Sequence, residues 1–110
     1  MKIEAIAGPS DSGKTTRITA KIRDYVAAGK RVGAIKHTHH PLNEEDRGDT
    51  AKFRAAGADP VILAGDREAV LFRGDTTTRV RFGDPEDLLD HFDGDAVMIE
   101  GFKDRIWRSS

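Results

Sequence analysis

The chain has 110 residues, of which 37% are hydrophobic and 34% charged, and this size and mixture favour one globular domain, residues 1–110, with one core. Its 18 basic and 19 acidic side chains give a formal net charge of -1, which argues against a general nucleic-acid binder because such proteins carry a basic excess. The absence of cysteine excludes disulfides and thiolate metal sites, and no apolar run is long enough for a membrane span or a signal peptide, so we expect a soluble, cytoplasmic protein.

Residues 2–36 predict a strand, a helix and a second strand. The short apolar run of residues 2–7 favours a strand. Residues 14–28 predict a helix, because apolar side chains recur on one helical face. These side chains are Ile18, Ile22, Tyr25 and Val26. Gly29 then stands where a residue of positive φ commonly ends a helix. A second strand over residues 32–36 would complete a right-handed crossover between parallel strands.

The middle of the chain contains a long polar connection and a hairpin pattern. Residues 37–48 form a connection of the length that usually carries function. Residues 49–56 predict a short helix, and residues 60–64 predict a third strand. Residues 69–73 and 79–82 flank a turn signal and a threonine run, which predicts a β-hairpin with one face in water.

The last third of the chain predicts a helix and a final strand. Asp84 and Pro85 are the residue types preferred at the N-cap and the first helical position. The buried side of this helix would consist of Leu88, Leu89 and Phe92. Residues 96–99 predict an apolar strand that ends at Glu100. Such alternation of strands and helices indicates a three-layer α/β sandwich with a mostly parallel sheet and an antiparallel hairpin at its edge.

The segment between the first strand and the first helix matches the phosphate-binding loop pattern G-x-x-x-x-G-K-[ST] at every fixed position. The loop and the residue after it are Gly8, Pro9, Ser10, Asp11, Ser12, Gly13, Lys14, Thr15 and Thr16. Backbone N–H groups in such a loop converge on phosphate oxygens, and the following helix directs its positive dipole end at the same anion. The sequence therefore predicts a P-loop NTPase-type fold that binds a nucleoside triphosphate.

The side chains of this loop have separate expected roles. Lys14 would reach the β- and γ-phosphates, the hydroxyl of Thr15 would ligate Mg²⁺, and Thr16 could donate towards the α-phosphate. Asp11 is expected to point to solvent, because an inward carboxylate would oppose the anion. The simpler alternative is a glycine-rich turn that binds nothing.

Two acidic residues are candidate partners of Mg²⁺. Glu100 lies at the carboxyl end of a strand, where ligands of open α/β sheets bind. It could hold Mg²⁺ through water or position an attacking water, which makes Lys14 and Glu100 the candidate catalytic residues; otherwise Glu100 merely starts a surface loop. Asp49 is either a further metal ligand or the N-cap of the helix that follows it.

His37, His39 and His40 follow the second strand and should emerge at the same sheet edge. Imidazoles bind Zn²⁺ or Ni²⁺, so a metal-delivery GTPase is one alternative. Histidines adjacent in sequence rarely chelate one ion well, and no cysteine can assist, so contact with phosphate or with a partner is favoured.

Five segments resemble the molybdopterin-guanine dinucleotide biosynthesis protein B (MobB) family, the adapter GTPases of molybdenum-cofactor synthesis. They occur in the family's order over nearly the whole chain, at residues 8–16, 32–40, 48–50, 53–58 and 98–103. Many families share the first segment. The Lys-His-Thr-His-His stretch of residues 36–40 and the Glu-Gly-Phe-Lys stretch of residues 100–103 make the resemblance specific.

The resemblance implies a P-loop fold, GTP binding with weak hydrolysis, Mg²⁺ and a homodimer. It also implies two partners, a MobA-type guanylyltransferase that attaches GMP to molybdopterin, and molybdopterin itself. By position, Lys14 and Thr15 carry over as phosphate and Mg²⁺ contacts, and Asp49 and Glu100 as acidic residues near the metal. The sequence contains no Asn-Lys-x-Asp motif, so guanine preference rests on the resemblance alone.

Two further alternatives stay open. A small-molecule kinase would need an arginine-bearing lid, for which Arg67, Arg73, Arg79 and Arg81 are available. The hairpin prediction places two of these arginines on a wet strand face, which disfavours the kinase. A binding module without hydrolysis is also open, because the sequence offers no obvious water-positioning glutamine or arginine finger.

Overall fold

The computed structural model describes residues 1–6, 13–45, 47–102, 105 and 107. The strands within these residues are β1 Lys2–Ile6, β2 Val32–His37, β3 Val61–Ala64, β4 Glu68–Arg73, β5 Thr76–Arg81 and β6 Ala96–Glu100. The helices are α1 Lys14–Ala27, α2 Asp49–Ala55 and the 3₁₀ helix Pro85–His91. None of the helices in this part of the chain is long and apolar enough to cross a membrane.

The strands form one sheet in the order β1-β6-β2-β3-β4-β5. The first four strands of this order run parallel, whereas β4 is antiparallel to both β3 and β5. The predicted parallel sheet with an antiparallel hairpin at its edge is therefore confirmed. The hairpin turn is tighter than predicted, because Thr76 already pairs with Arg73. The threonine run thus belongs to β5, as β-branched residues favour strands.

The sheet separates two apolar cores. On one face, Ile18 of α1 and Phe53 of α2 pack with Met98 of β6. On the other face, Leu88 of the 3₁₀ helix packs with Ile99 of β6 and its neighbours. Successive strand residues point to opposite faces, so one buried strand such as β6 supplies both cores. The arrangement has the three layers that the sequence predicts.

The predicted N-cap at Asp84 is confirmed. The carboxylate of Asp84 accepts a hydrogen bond from the backbone N–H of Glu86 at 2.9 Å, and the backbone N–H of Asp84 donates to the carboxylate of Asp87 at 3.2 Å. Among the apolar side chains that indicate α1 in the sequence, Val26 stays 44% exposed. Val26 lies against Gly57, which has no side chain to cover it.

Gly29 follows the end of α1 as predicted. It thereby sets where this helix, which carries Lys14 and Thr15, terminates. Its φ is 76°, and the N–H groups of Gly29 and Lys30 donate to carbonyls of the last turn at 3.0 and 2.9 Å. No atom lies within 4 Å of the position that a Cβ would take. A residue with a Cβ at position 29 would therefore be disfavoured by the positive φ and not by contact with other atoms.

Gly29→Ala should lower the free energy of unfolding by about 1–2 kcal/mol, because a Cβ is disfavoured in the left-handed region. Chemical denaturation measures this difference. Gly83→Ala is the matched control, because Gly83 lacks a positive φ and the nearest atom to its Cβ position is 4.0 Å away. Equal stability of the two variants would contradict this account of the helix end.

Candidate functional site

Polar side chains from four elements meet at the carboxyl ends of the central parallel strands. Lys36 near the end of β2 and Glu100 at the end of β6 are register partners, so their side chains leave the sheet on the same face. Thr15 lies in the first turn of α1, and Asp49 is the first residue of α2. The fold thus brings together residues that are far apart in sequence.

The ammonium group of Lys36 contacts two carboxylates. Its Nζ donates to Asp49 Oδ2 at 2.8 Å and also to Glu100 Oε2. The hydroxyl of Thr15 donates to the other carboxylate oxygen of Glu100 at 2.9 Å. Glu100 is only 2% exposed, and a carboxylate buried to this degree needs such partners. Glu100 is therefore a buried member of the site and does not start a surface loop.

The electrostatics of this cluster favour the charged forms of Lys36 and Asp49. Burial alone would lower the pKa of Lys36, but hydrogen bonds to Asp49 and Glu100 outweigh it and raise the pKa above 10.5. Burial would likewise raise the pKa of Asp49, but the hydrogen bond and charge of Lys36, helped by the hydroxyl of Thr15, lower it below 3.8. The ion pairs are thus present before any ligand binds.

The alternative N-cap role of Asp49 is wrong. Gly48 is the N-cap of α2, and no side chain caps this helix end. The carboxylate of Asp49 turns to Lys36 because a charged partner at 2.8 Å attracts it more strongly than a neutral backbone N–H does. Its negative charge still suits the first turn of a helix.

The predicted phosphate-binding loop is described only at its C-terminal end. The residues predicted to contact phosphate that lie outside the described residues are Gly8, Pro9, Ser10, Asp11 and Ser12. Gly13 has a φ of 78°, which glycine adopts without strain, and it leads directly into α1. A cavity of about 380 Å³ lies there, lined by Gly13, Lys14, Thr15, Thr16, Lys36, Asp49, Lys52 and Glu100.

Sequence reasoning missed Lys36 and Lys52 as residues of this cavity. Lys36 belongs to the segment that resembles the MobB family, but its link to Glu100 follows from the register of β2 and β6, which no local pattern reveals. Lys52 lies three positions after Asp49 on α2, the spacing at which helical side chains become neighbours, and this signal was available in the sequence.

The three histidines lie next to this cavity and contribute no ligand to the Lys36 cluster. His37 and Asp66 form a hydrogen bond of 3.2 Å, while His39 and His40 are exposed. All three histidines line a second cavity of about 590 Å³ that Lys14 also lines. The prediction that they emerge at the same sheet edge as Glu100 is therefore correct.

A mostly parallel sheet that gathers an ammonium group, carboxylates and a helix start at its carboxyl edge defines an α/β protein with a polar site where ligands of such sheets bind. The model of the family MobB, "Molybdopterin guanine dinucleotide synthesis protein B", matches residues 3–108. The chain therefore belongs to the MobB family, which confirms the resemblance seen in the sequence.

Two curated relatives and one solved structure agree with this assignment. A molybdopterin-guanine dinucleotide biosynthesis adapter protein of Haemophilus influenzae is 35% identical over 99 residues, which cover 89% of this chain and 55% of the relative. The protein of the same name from Escherichia coli is 35% identical over 108 residues, which cover 90% of this chain and 58% of that relative. The crystal structure of Bacillus subtilis MobB matches with a TM-score of 0.58 and 26% identity, over 94% of this chain and 62% of that one. The chain thus spans a little more than half the length of the curated relatives.

Asp49→Asn should lower stability at neutral pH, because Lys36 loses one of its two carboxylate partners. Since the folded-state pKa of Asp49 is depressed, its contribution is present above the ordinary value of 3.8 and is lost as the pH falls through the lower folded-state value. The stability difference between wild type and variant should therefore shrink below about pH 4.

Chemical denaturation at a series of pH values tests this prediction. Asp24→Asn removes an exposed carboxylate of α1 and serves as the control without such a pH-dependent difference. A difference for Asp49→Asn that stays constant down to about pH 3 would show that the Lys36 ion pair does not stabilise the fold.

Proposed function

We propose that the chain forms a single domain that binds GTP with Mg²⁺, hydrolyses GTP slowly and acts as an adapter in molybdopterin-guanine dinucleotide biosynthesis. The cluster of Thr15, Lys36, Asp49 and Glu100 beside the start of α1 carries this proposal. The relatives named as biosynthesis adapter proteins support the adapter role.

The triphosphate would lie against the start of α1, in the cavity beside Gly13. Unpaired N–H groups and the positive dipole end of a helix favour an anion at this position. Lys14 would add a charge-assisted hydrogen bond, which is stronger than a neutral one. Lys36 and Lys52 line the same cavity and increase its positive potential.

The oxygen atoms of the cluster fit a Mg²⁺ ion. Mg²⁺ prefers oxygen ligands and keeps several waters, so one or two carboxylates and a hydroxyl suffice. The hydroxyl of Thr15 already lies 2.9 Å from Glu100 Oε1, and Asp49 lines the same cavity. When bound, Mg²⁺ would neutralise part of the phosphate charge. Lys36 would keep both carboxylates oriented, and Glu100 would accept a hydrogen bond from a water near the phosphate.

Slow turnover fits the residues available for hydrolysis. The sequence contains no glutamine, the residue type that orients the attacking water in efficient GTPases. Arg73 donates to the carbonyl of His91 at 2.6 Å, and Arg79 is held by Glu44 and Glu68 at 3.2 and 3.1 Å. Neither arginine is among the described residues that line the cavity, which weighs against a kinase lid.

An adapter needs partners, and the proposal includes three, namely a second copy of the chain, a MobA-type guanylyltransferase and molybdopterin. A homodimer is tested by light scattering on the purified chain. A MobA-type guanylyltransferase is tested by co-purification with the chain in the presence and absence of GTP, and molybdopterin binding is tested on the resulting complex. A monomer that captures no guanylyltransferase would contradict the adapter role while leaving nucleotide binding intact.

Lys14→Ala should weaken GTP binding by about 10- to 150-fold, because a hydrogen bond to a charged group contributes about 1.5–3 kcal/mol. Isothermal titration with GTP in excess Mg²⁺ measures this loss. Lys21→Ala is the control on the same helix, since Lys21 is an exposed lysine that lies 3.6 Å from Glu4. Unchanged affinity in Lys14→Ala would remove Lys14 from the site, and equal binding of GTP and ATP would contradict the guanine preference.

Thr15→Val should reduce, by roughly tenfold, the gain in GTP affinity that Mg²⁺ provides, because the variant keeps the shape of the side chain but lacks the hydroxyl. Thr19→Val is the matched control, because the Thr19 hydroxyl donates to the backbone oxygen of Thr16 at 2.9 Å. Titrations with and without Mg²⁺ separate the metal from the nucleotide. If Mg²⁺ increases GTP affinity equally in Thr15→Val and Thr19→Val, Thr15 is not a metal ligand.

A further inference from the structure

Three side chains outside the Lys36 cluster place metal-binding atoms close together. His37 ends β2, His39 follows two residues later, and Asp66 lies in the connection between β3 and β4. One ligand atom from each of these residues lies within 4.8 Å of the other two. His37 Nε2 and Asp66 Oδ1 form a hydrogen bond of 3.2 Å.

We propose that His37, His39 and Asp66 form a binding site for one divalent transition-metal ion, with Zn²⁺ as the best-suited ion. Two imidazoles and one carboxylate are a ligand set that Zn²⁺ accepts, with metal–ligand distances of about 2.0–2.2 Å. Tetrahedral geometry at such distances places neighbouring ligand atoms about 3.3 Å apart, close to the 3.2 Å between His37 and Asp66. The remaining coordination position would take water or a ligand from solution.

The ring of His37 is fixed before an ion binds. Its side chain is 12% exposed, and its ring stacks on Phe102 with the centroids 4.1 Å apart and the planes at 9°. Gly101 permits this packing, because a Cβ there would lie 2.7 Å from the Cβ of His37. A ligand that is already held in place loses little conformational freedom on coordination.

The other two ligands are free to complete the coordination. The ring of His39 meets that of His37 edge-on at 4.7 Å between centroids, and the side chain of Asp66 is 82% exposed. A hydrogen bond between His37 and so exposed a carboxylate contributes little to folding. Replacing Asp66 should therefore leave the fold intact, so its effect on metal binding can be measured separately.

The proposed site lies between two cavities. His37 and His39 line the cavity that also contains Lys14 and Glu100, and His39 and Asp66 line the cavity on the other side. A ligand that completes the coordination of the ion thus has room beside Lys14. The site shares no residue with the proposed Mg²⁺ site and does not depend on GTP binding.

Titration with ZnCl₂ tests the proposal on chain purified without a polyhistidine tag, with excess Mg²⁺ present to occupy the Thr15 cluster. Wild type should bind one Zn²⁺ per chain. Asp66→Asn and His39→Ala should each weaken Zn²⁺ binding at least about 10-fold, since even losing a residue that only supports a ligand costs that much. His40→Ala removes an exposed histidine of the same loop and should bind Zn²⁺ as wild type does.

Three outcomes overturn the proposal. They are the absence of Zn²⁺ binding to wild type at millimolar concentration, wild-type affinity in Asp66→Asn, and a loss in His40→Ala equal to that in His39→Ala. Circular dichroism of each variant verifies folding. Absorption of Co²⁺ in the visible range provides a second measure, because it should appear in wild type and His40→Ala and be lost in Asp66→Asn. Failure of GTP binding would leave all of these results unaffected.

Discussion

The ammonium group of Lys36 holds the carboxyl edge of the sheet together by pairing with both Asp49 and Glu100. Glu100 is buried, and two carboxylates in one small volume repel each other unless a cation lies between them. Lys36 thereby joins β2 to β6 and to the start of α2, while the hydroxyl of Thr15 joins α1 to the same group. Removing Lys36 would leave two neighbouring carboxylates, one of them buried, without the cation that they share.

The same cluster explains how one cavity can accept both an anion and a cation. The described lining of the cavity contains three lysines and two carboxylates, so its excess charge is positive while its oxygen ligands are retained. A nucleotide with Mg²⁺ carries charges of both signs. Because Lys36 holds both carboxylates in place, the site would not need to reorganise before it binds this pair.

The sequence predicts the order and type of the elements, because periodicity, glycine and proline act over short distances. It also predicts that Thr15, Asp49 and Glu100 meet, since each follows or ends an element at the same sheet edge. The sequence does not predict the insertion of β6 between β1 and β2, because this insertion depends on long-range strand pairing. The role of Lys36 depends on the same pairing. The roles predicted for residues 8–12 stay predictions.

The two segments that make the family resemblance specific form one structural unit. Residues 36–40 and the described residues 100–102 lie at the ends of neighbouring parallel strands, and the register that pairs Lys36 with Glu100 also brings His37 onto Phe102. Histidines that are adjacent in sequence chelate a metal poorly when all ligands come from one loop. This argument does not apply to the proposed metal site, because Asp66 comes from a different connection 29 positions from His37. Strand pairing thus places the proposed nucleotide site and the proposed metal site on either side of one strand end, so that each depends on the same register.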